Sequence, residues 1–235
     1  MLVIPPPQPN PNVREYERGA SVVFRKTTED FGGLSNMAGG YPLRVNGLLI
    51  LTSEALYQAC RFPHLPEVQQ LILDQASPMT AKMRSKPYRD QSRPDWDRVR
   101  VTIMRWCLRV KLLQNWRKFG DLLVATGASP IVEESRKDPF WGAQPQGADR
   151  LVGMNVLGRL LMELREEFRT GTIAREGELA PPQLGDLLLL GQPVAPITAT
   201  LRPVVAAKPK AQAPLFNDTA DEQRSATVSR RAAGR

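Results

Sequence analysis

The sequence predicts an α+β domain, mainly helical, with a small antiparallel sheet. Three observations point there. Asn46-Gly47 lies between apolar runs in Tyr41 to Leu51 (YPLRVNGLLIL), the strongest short-range hairpin signal. Beyond it, apolar residues recur at three- and four-residue spacing, above all between Asp95 and Asn115. Thirteen of the fifteen aromatics fall between Ser21 and Thr170, whereas twelve of the twenty-one prolines fall outside that window. A core of about 150 residues buries roughly two thirds of the surface its unfolded chain exposes. The expected organisation is a Pro-rich disordered arm over 1–20, one globular domain over 21–170 and a low-complexity, mostly disordered tail over 171–235.

Each element has a local reason. SVVFR (Ser21 to Arg25) is β-branched and aromatic and reads as a short strand. Glu29 to Gly40 is a Gly-rich loop centred on Ser35-Asn36, of the kind that lets backbone approach a ligand. Thr52 or Ser53 caps a helix with Ala55, Leu56, Ala59 and Cys60 on its apolar side, ended by Pro63. Val68, Leu71 and Ile72 support a second helix over Leu65 to Ala76. Ser77 to Pro94, polar and basic with three prolines, reads as loop with one helical turn near Ala81. Val99, Ile103, Trp106, Val110 and Leu113 mark the buried stripe of a long helix from Asp95 to Asn115. Lys118 to Ala125 gives another, stopped at Gly127. Ile131 to Glu134 is extended, Asp138 to Gly142 is loop, and Asn155 caps a last helix to Phe168.

Composition excludes several kinds of chemistry. The two cysteines, Cys60 and Cys107, read as buried thiols and are too few for a zinc site or a disulfide framework. The single histidine, His64, sits between Pro63 and Pro66 in a helix-breaking segment and reads as structural. Acid–base work therefore falls to carboxylates, lysines or water. The longest apolar run near a terminus, Leu184 to Gly191, contains Asp186 and is too short to span a bilayer. With no signal-peptide pattern at the N-terminus, a cytoplasmic location is expected.

The net charge of +8 has an address: Lys82 to Lys118 holds twelve Lys or Arg against three Asp. Such an excess implies either an anionic partner or a solvated helix face. Glu54, in the first turn of a helix, is a candidate carboxylate, though an acid there also simply complements the helix dipole. Trp141, beside Asp138 and Gly142, offers a stacking face or serves as a core anchor.

The order of these clusters carries a resemblance. FGGLSNM (Phe31 to Met37), TSEALYQACRF (Thr52 to Phe62), SPMTAKM (Ser77 to Met83), IVEESRKDPFWG (Ile131 to Gly142) and GMNVLGRLLMELR (Gly153 to Arg165) together resemble the NADAR, or YbiA-like, family over residues 22–168. The resemblance implies a compact α+β fold and hydrolysis of an N-glycosidic bond between a ribose C1 and a ring nitrogen. One branch of that family cleaves early riboflavin-pathway intermediates carrying a ribose phosphate. Another removes ADP-ribose from guanine in nucleic acid, as antitoxin to DarT-type ADP-ribosyltransferases.

That chemistry needs a carboxylate to support an oxocarbenium-like state and a proton source for the departing nitrogen. Glu54 and Asp138 are the expected catalytic residues. Ser35, Asn36, Tyr57, Lys82, Arg84, Lys86, Trp141, Gly142 and Asn155 are the expected substrate-binding residues, with Trp141 stacking on a base and the cations on phosphates. No metal or cofactor is called for. The expected substrate is ADP-ribosylated guanine in DNA, with a DarT-type toxin as counterpart. The alternatives are a ribosylamino-pyrimidine phosphate, a non-catalytic ADP-ribose or NAD-binding module, and a basic nucleic-acid-binding protein without turnover. Three positions depart from the family pattern: Ala55 in place of a histidine, Arg61 in place of a lysine and Gly33 in place of an aromatic. The first leaves the proton donor open, and the changes are expected to enlarge the space around Ser35-Asn36.

Overall fold

The hairpin forms where its turn chemistry dictates. Strands β3 (Leu43–Val45) and β4 (Leu48–Ile50) pair antiparallel about Asn46 and Gly47, whose φ angles of 50° and 78° are those of a tight primed turn. Thr52 then caps α1 (Ser53–Ala59), its side-chain oxygen accepting the Ala55 N–H at 3.2 Å. Helix α2 (Pro66–Leu73) follows, opened by a proline in its first turn. The 19-residue α4 (Trp96–Gln114) is central: it packs on α1, on α5 (Trp116–Ala125) and on α6 (Val156–Arg169), and its predicted stripe from Val99 to Leu113 is buried. Cys60 and Cys107 are buried thiols. This computed structural model describes residues 10–199, which fall within one compact unit.

The strands make several small sheets rather than one. Val22–Phe24 (β2) pairs in parallel with Ile131–Glu133 (β5), while Arg14–Glu17 (β1), Arg150–Gly153 (β7) and Gln144–Gln146 (β6) form a three-stranded antiparallel sheet. The architecture is mixed α+β, as expected, with β2–β5 as a parallel exception. Strand β5 matters most. Ile131 joins the main core, Val132 turns to a second small core with Tyr16, Ala143 and Leu151, and Glu133 faces the same side as Ile131.

Three expectations are corrected. The stretch read as loop from Ser77 contains an eight-residue helix, α3 (Pro78–Ser85), continued by a 3-10 segment to Gln91. Pro78 and Pro87 sit in first turns, where a missing N–H costs nothing, so they start helices instead of breaking them. The arm is ordered where Arg14 to Glu17 complete the sheet with β7; residues 1–9 lie outside the described residues.

The third correction concerns the tail, which is structured as far as residue 199. Short antiparallel pairs form between Glu178–Leu179 (β8) and Ile197–Thr198 (β11) and between Leu188–Leu189 (β9) and Gln192–Pro193 (β10), and Leu187, Leu189, Val194 and Ile197 are buried. Residues 200–235 lie outside the described residues. The buried Gln69 explains the docking. Its amide nitrogen donates to the carbonyls of Ala59 (3.0 Å) and Leu188 (2.9 Å), and its oxygen accepts from the Leu190 N–H (2.6 Å). Low-complexity composition hid this because the contacts are made by backbone groups of the tail.

Replacing Gln69 with leucine takes their side-chain partner from the Leu188 carbonyl and the Leu190 N–H, while the Ala59 carbonyl keeps the Phe62 N–H. Denaturant unfolding of Gln69→Leu should show a loss of about 2–4 kcal/mol, and an unchanged midpoint would show that the tail docks independently of this side chain.

Candidate active site

A cavity of about 390 Å³ opens among α1, α3, the start of α4, the end of β5 and the Asp138–Trp141 loop. Its chemistry begins at Glu54. The cap at Thr52 fixes the first turn of α1, so Glu54 points inward and is buried. One carboxylate oxygen accepts from the Asn36 side-chain amide at 2.7 Å, the other from the Gln58 amide at 2.9 Å. Gln58 lies one helical turn on, and its own oxygen accepts from Ser85 Oγ at 2.9 Å. That contact fixes which end of Gln58 faces Glu54. Both oxygens of Glu54 are thereby engaged as acceptors.

Asn36 is delivered by the Gly-rich loop, and the loop is held from below by Lys111 of α4. The Lys111 ammonium is buried, donates to the carbonyls of Gly33 (2.7 Å) and Ser35 (3.0 Å), and lies 4.4 Å and 4.3 Å from the ring centroids of Tyr41 and Phe119. Burial, with Lys118 nearby, draws its pKa down to about 7. The two carbonyls and two aromatic faces act in the opposite sense, favouring the charged form.

A second carboxyl group, not foreseen from the sequence, shares the cavity. Glu133 comes from the end of β5, and its carboxyl has no hydrogen bond or ion pair among the described residues. Burial first, then the negative charges of Asp138 and Glu54, push its pKa up to about 7, against a small opposing effect from Lys82. The available signal was register: Glu133 stands two residues after the core residue Ile131, on the inward side of a short strand. The two carboxyl groups thus occupy contrasting settings, one satisfied by amides and one left to its proton.

Aromatic residues and cations complete the walls. Tyr57 stacks at a tilt on Trp96 (5.1 Å between centroids) and meets Trp141 edge to face (5.7 Å), and Trp141 meets Phe140 in the same way (5.0 Å). Arg61 covers Trp96 at 5.0 Å and Arg100 covers Phe140 at 3.8 Å. Burial, helped by Glu54, raises the Tyr57 phenol, so this ring acts as a neutral wall. Arg61, Lys82, Arg89 and Arg100 supply positive charge to the lining.

Of the residues expected at the site, Glu54, Asn36, Tyr57, Lys82, Asp138 and Trp141 meet at this cavity. Asp138 also shapes its own loop, its Oδ1 accepting the N–H groups of Phe140 and Trp141 at 3.0 Å each. The other five do not line it. Ser35 turns its hydroxyl to the Met37 N–H. Arg84 and Lys86 are exposed, on other faces of α3 and the segment after it. Gly142 has a packing role: a Cβ there would stand 2.5 Å from the Glu133 carbonyl. Asn155 caps nothing with its side chain. It is fully buried in the left-handed conformation (φ 45°) and clamps β5, accepting the Glu133 N–H and donating to the Ile131 carbonyl.

Two further expectations change. Gly33 does not enlarge the site, since a Cβ there would meet the Tyr41 hydroxyl at 2.3 Å; Tyr41 and Leu122 already fill that space. Much of the positive stretch is internally compensated. Arg105 pairs with Glu163, Arg109 with Glu167, Arg93 and Arg98 with Asp95, Arg100 with Asp97, and Lys111 is buried on carbonyls. His64 is exposed and lies outside the cavity.

With this geometry in view, the comparison with known proteins is direct. The model of the NADAR domain family matches residues 23–169, and the chain belongs to that family. It is 37% identical over 148 residues to N-glycosidase YbiA of Escherichia coli (strain K12), spanning 62% of this chain and 86% of that protein. A riboflavin biosynthesis protein of Vibrio vulnificus (strain YJ016) is 36% identical over 160 residues, 67% of this chain but only 41% of that longer protein. The NMR structure of E. coli YbiA superposes with a TM-score of 0.56 at 32% identity, covering 66% of this chain and 89% of that one.

Two predictions follow from the site's electrostatics. Lys111→Met leaves the Gly33 carbonyl unpaired and the Ser35 carbonyl with the Ala38 N–H as its one remaining donor, and should cost about 2–4 kcal/mol in denaturant unfolding. Because Glu133 holds its proton in the folded chain up to about pH 7 but releases it near 4.5 when unfolded, stability falls as pH rises across that interval. Glu133→Gln removes this loss. Its melting temperature should gain on the parent between pH 5 and pH 8, and parallel curves would refute the assignment.

Proposed function

We propose that this protein hydrolyses an N-glycosidic bond between a ribose C1 and a ring nitrogen. The observation that carries the reading is the pair of carboxyl groups in one cavity: Glu54 held as an acceptor by two amides, and Glu133 raised to about 7. Glu133 donates its proton to the departing ring nitrogen as the C1–N bond breaks. Positive charge developing on the sugar is supported by Glu54, which also accepts a proton from the water that adds to C1. Trp141 stacks on the planar base, Asp138 orients water or ribose hydroxyls, and the cations of the lining bind phosphate. Relatives named as N-glycosidases support this reaction class.

Within that class we place ADP-ribose on guanine in DNA first, a role reversing the action of a DarT-type toxin. Three cations with no ion pair among the described residues, Arg61, Lys82 and Arg89, line one cavity together with the Arg100–Asp97 pair, more than a single phosphate requires and suited to a diphosphate. The second reading, a riboflavin-pathway ribosylamino-pyrimidine phosphate, is favoured by the relatives named as riboflavin biosynthesis proteins.

The deciding assay offers both substrates to the purified chain. Release of ADP-ribose from an oligonucleotide carrying ADP-ribosylated guanine is expected, and release only of ribose 5-phosphate from the pyrimidine would select the second reading. Glu54→Gln should lower turnover by at least about a thousandfold. It also sets an amide N–H₂ against the donors of Asn36 or Gln58, so a stability loss of about 1–3 kcal/mol accompanies it. Retained activity would remove Glu54 from the mechanism.

A further inference from the structure

The segment from Lys82 to Arg89 serves two depressions at once. Lys82 and Arg89 line the cavity described above. Between them, Met83, Arg84, Pro87 and Tyr88, with Thr80 of α3, line a separate open groove of about 450 Å³ that also takes in Leu71 of α2 and Gln75. Met79 and Met83, one helical turn apart on α3, leave more than half of their surface exposed. The cations Arg84, Lys86 and Arg89 are exposed and form no ion pair among the described residues, in contrast to Arg93, Arg98, Arg105 and Arg109 on and before α4. Asp90 is the sole acid from Lys82 to Arg93.

We infer that this groove is a track for single-stranded nucleic acid, guiding the strand that flanks a nucleotide seated in the catalytic cavity. An apolar floor with one aromatic ring, fringed by uncompensated cations, is the composition that accommodates stacked bases and their phosphates without reading sequence. An amphipathic protein helix would bury the methionines equally well but gains nothing from three unpaired cations around them. Adjacency argues in the same direction: Lys82 and Arg89 of the cavity lining flank Met83, Arg84, Pro87 and Tyr88 of the groove lining within one eight-residue segment. The proposal rests on the polymeric substrate assigned above, and extends it from the cleaved nucleotide to its neighbours.

The experiment uses the full chain and a fluorescein-labelled dT12, read by anisotropy at 50 mM and 200 mM salt. Binding should weaken steeply with salt, and Arg84→Glu with Lys86→Glu should reduce affinity by about tenfold or more at low salt. Tyr88→Leu should reduce it about fivefold with a smaller change in salt dependence. Arg117→Glu, an exposed cation on α5, is the control and should leave affinity within about twofold. Wild-type failure to bind, unaltered affinity in the paired variant, or an equal loss in the control would each overturn the track. A parallel turnover assay on ADP-ribosylated guanine separates this inference from the function beneath it. If no ADP-ribose is released yet the anisotropy results hold, the reaction assignment fails and the track stands. If release occurs and the paired variant does not raise the KM of an oligonucleotide relative to a mononucleotide, the track fails alone.

Discussion

A single buried ammonium holds the active-site loop to the helical scaffold. Lys111 extends from the last turn of α4, between the rings of Tyr41 and Phe119, to two carbonyls of the Gly32–Ala38 loop. That loop is pinned to the core by Leu34 and Ala38, but the Gly33 carbonyl beside them has no other protein donor, and without this anchor it would compete for water. With the anchor in place Asn36 meets Glu54, and Glu54 in turn fixes Gln58, which receives Ser85 from α3. One chain of polar contacts thus runs from the central helix through the loop and α1 to the helix that supplies Lys82. A charge placed in a core is costly unless fully coordinated, and here the coordination itself positions the site.

The cavity draws its charges from every element around it. Carboxyl groups come from the first turns of α1 and α4, a strand end and a loop, and the cations come from the residues just after α1, from α3, the 3-10 segment and α4. The aromatic series from Trp96 through Tyr57 and Trp141 to Phe140 lies between them and is closed at each end by an arginine face. Rings in mutual edge contact cannot turn freely, so the wall offered to a planar ligand is rigid before the ligand arrives.

The fold was legible wherever local chemistry decides it. Asn46-Gly47, Thr52 and the Val99–Leu113 stripe each acted through neighbours in sequence, and each lies where its pattern puts it. Long-range contacts escaped. Gln69 is one polar residue in a helix until its three tail partners are seen, and Asn155 reads as a cap until its side chain is found on β5. In the site, Glu54, Asp138 and Trp141 stood out because their types and places were unusual in the sequence. Glu133 did not, because a glutamate ending a short strand looks like surface. Its setting is made first by burial and then by Asp138 and Glu54, separated from it by 5 and 79 positions. The charge count erred for a related reason: the acids that neutralise Arg105 and Arg109 are on α6, more than fifty residues away.

The clasp around Gln69 ties two distant parts of the chain into one cooperative unit. The same amide that receives the tail also bonds the carbonyl of Ala59, the last residue of the helix that begins with Ser53 and Glu54. Undocking Leu188 and Leu190 therefore removes partners from a side chain that braces this helix from its far end. Amide protons at the end of α1 and in the β9–β10 turn should then open together rather than fray separately. The working unit of this protein runs past the close of α6 at Arg169 as far as the β11 strand at Thr198.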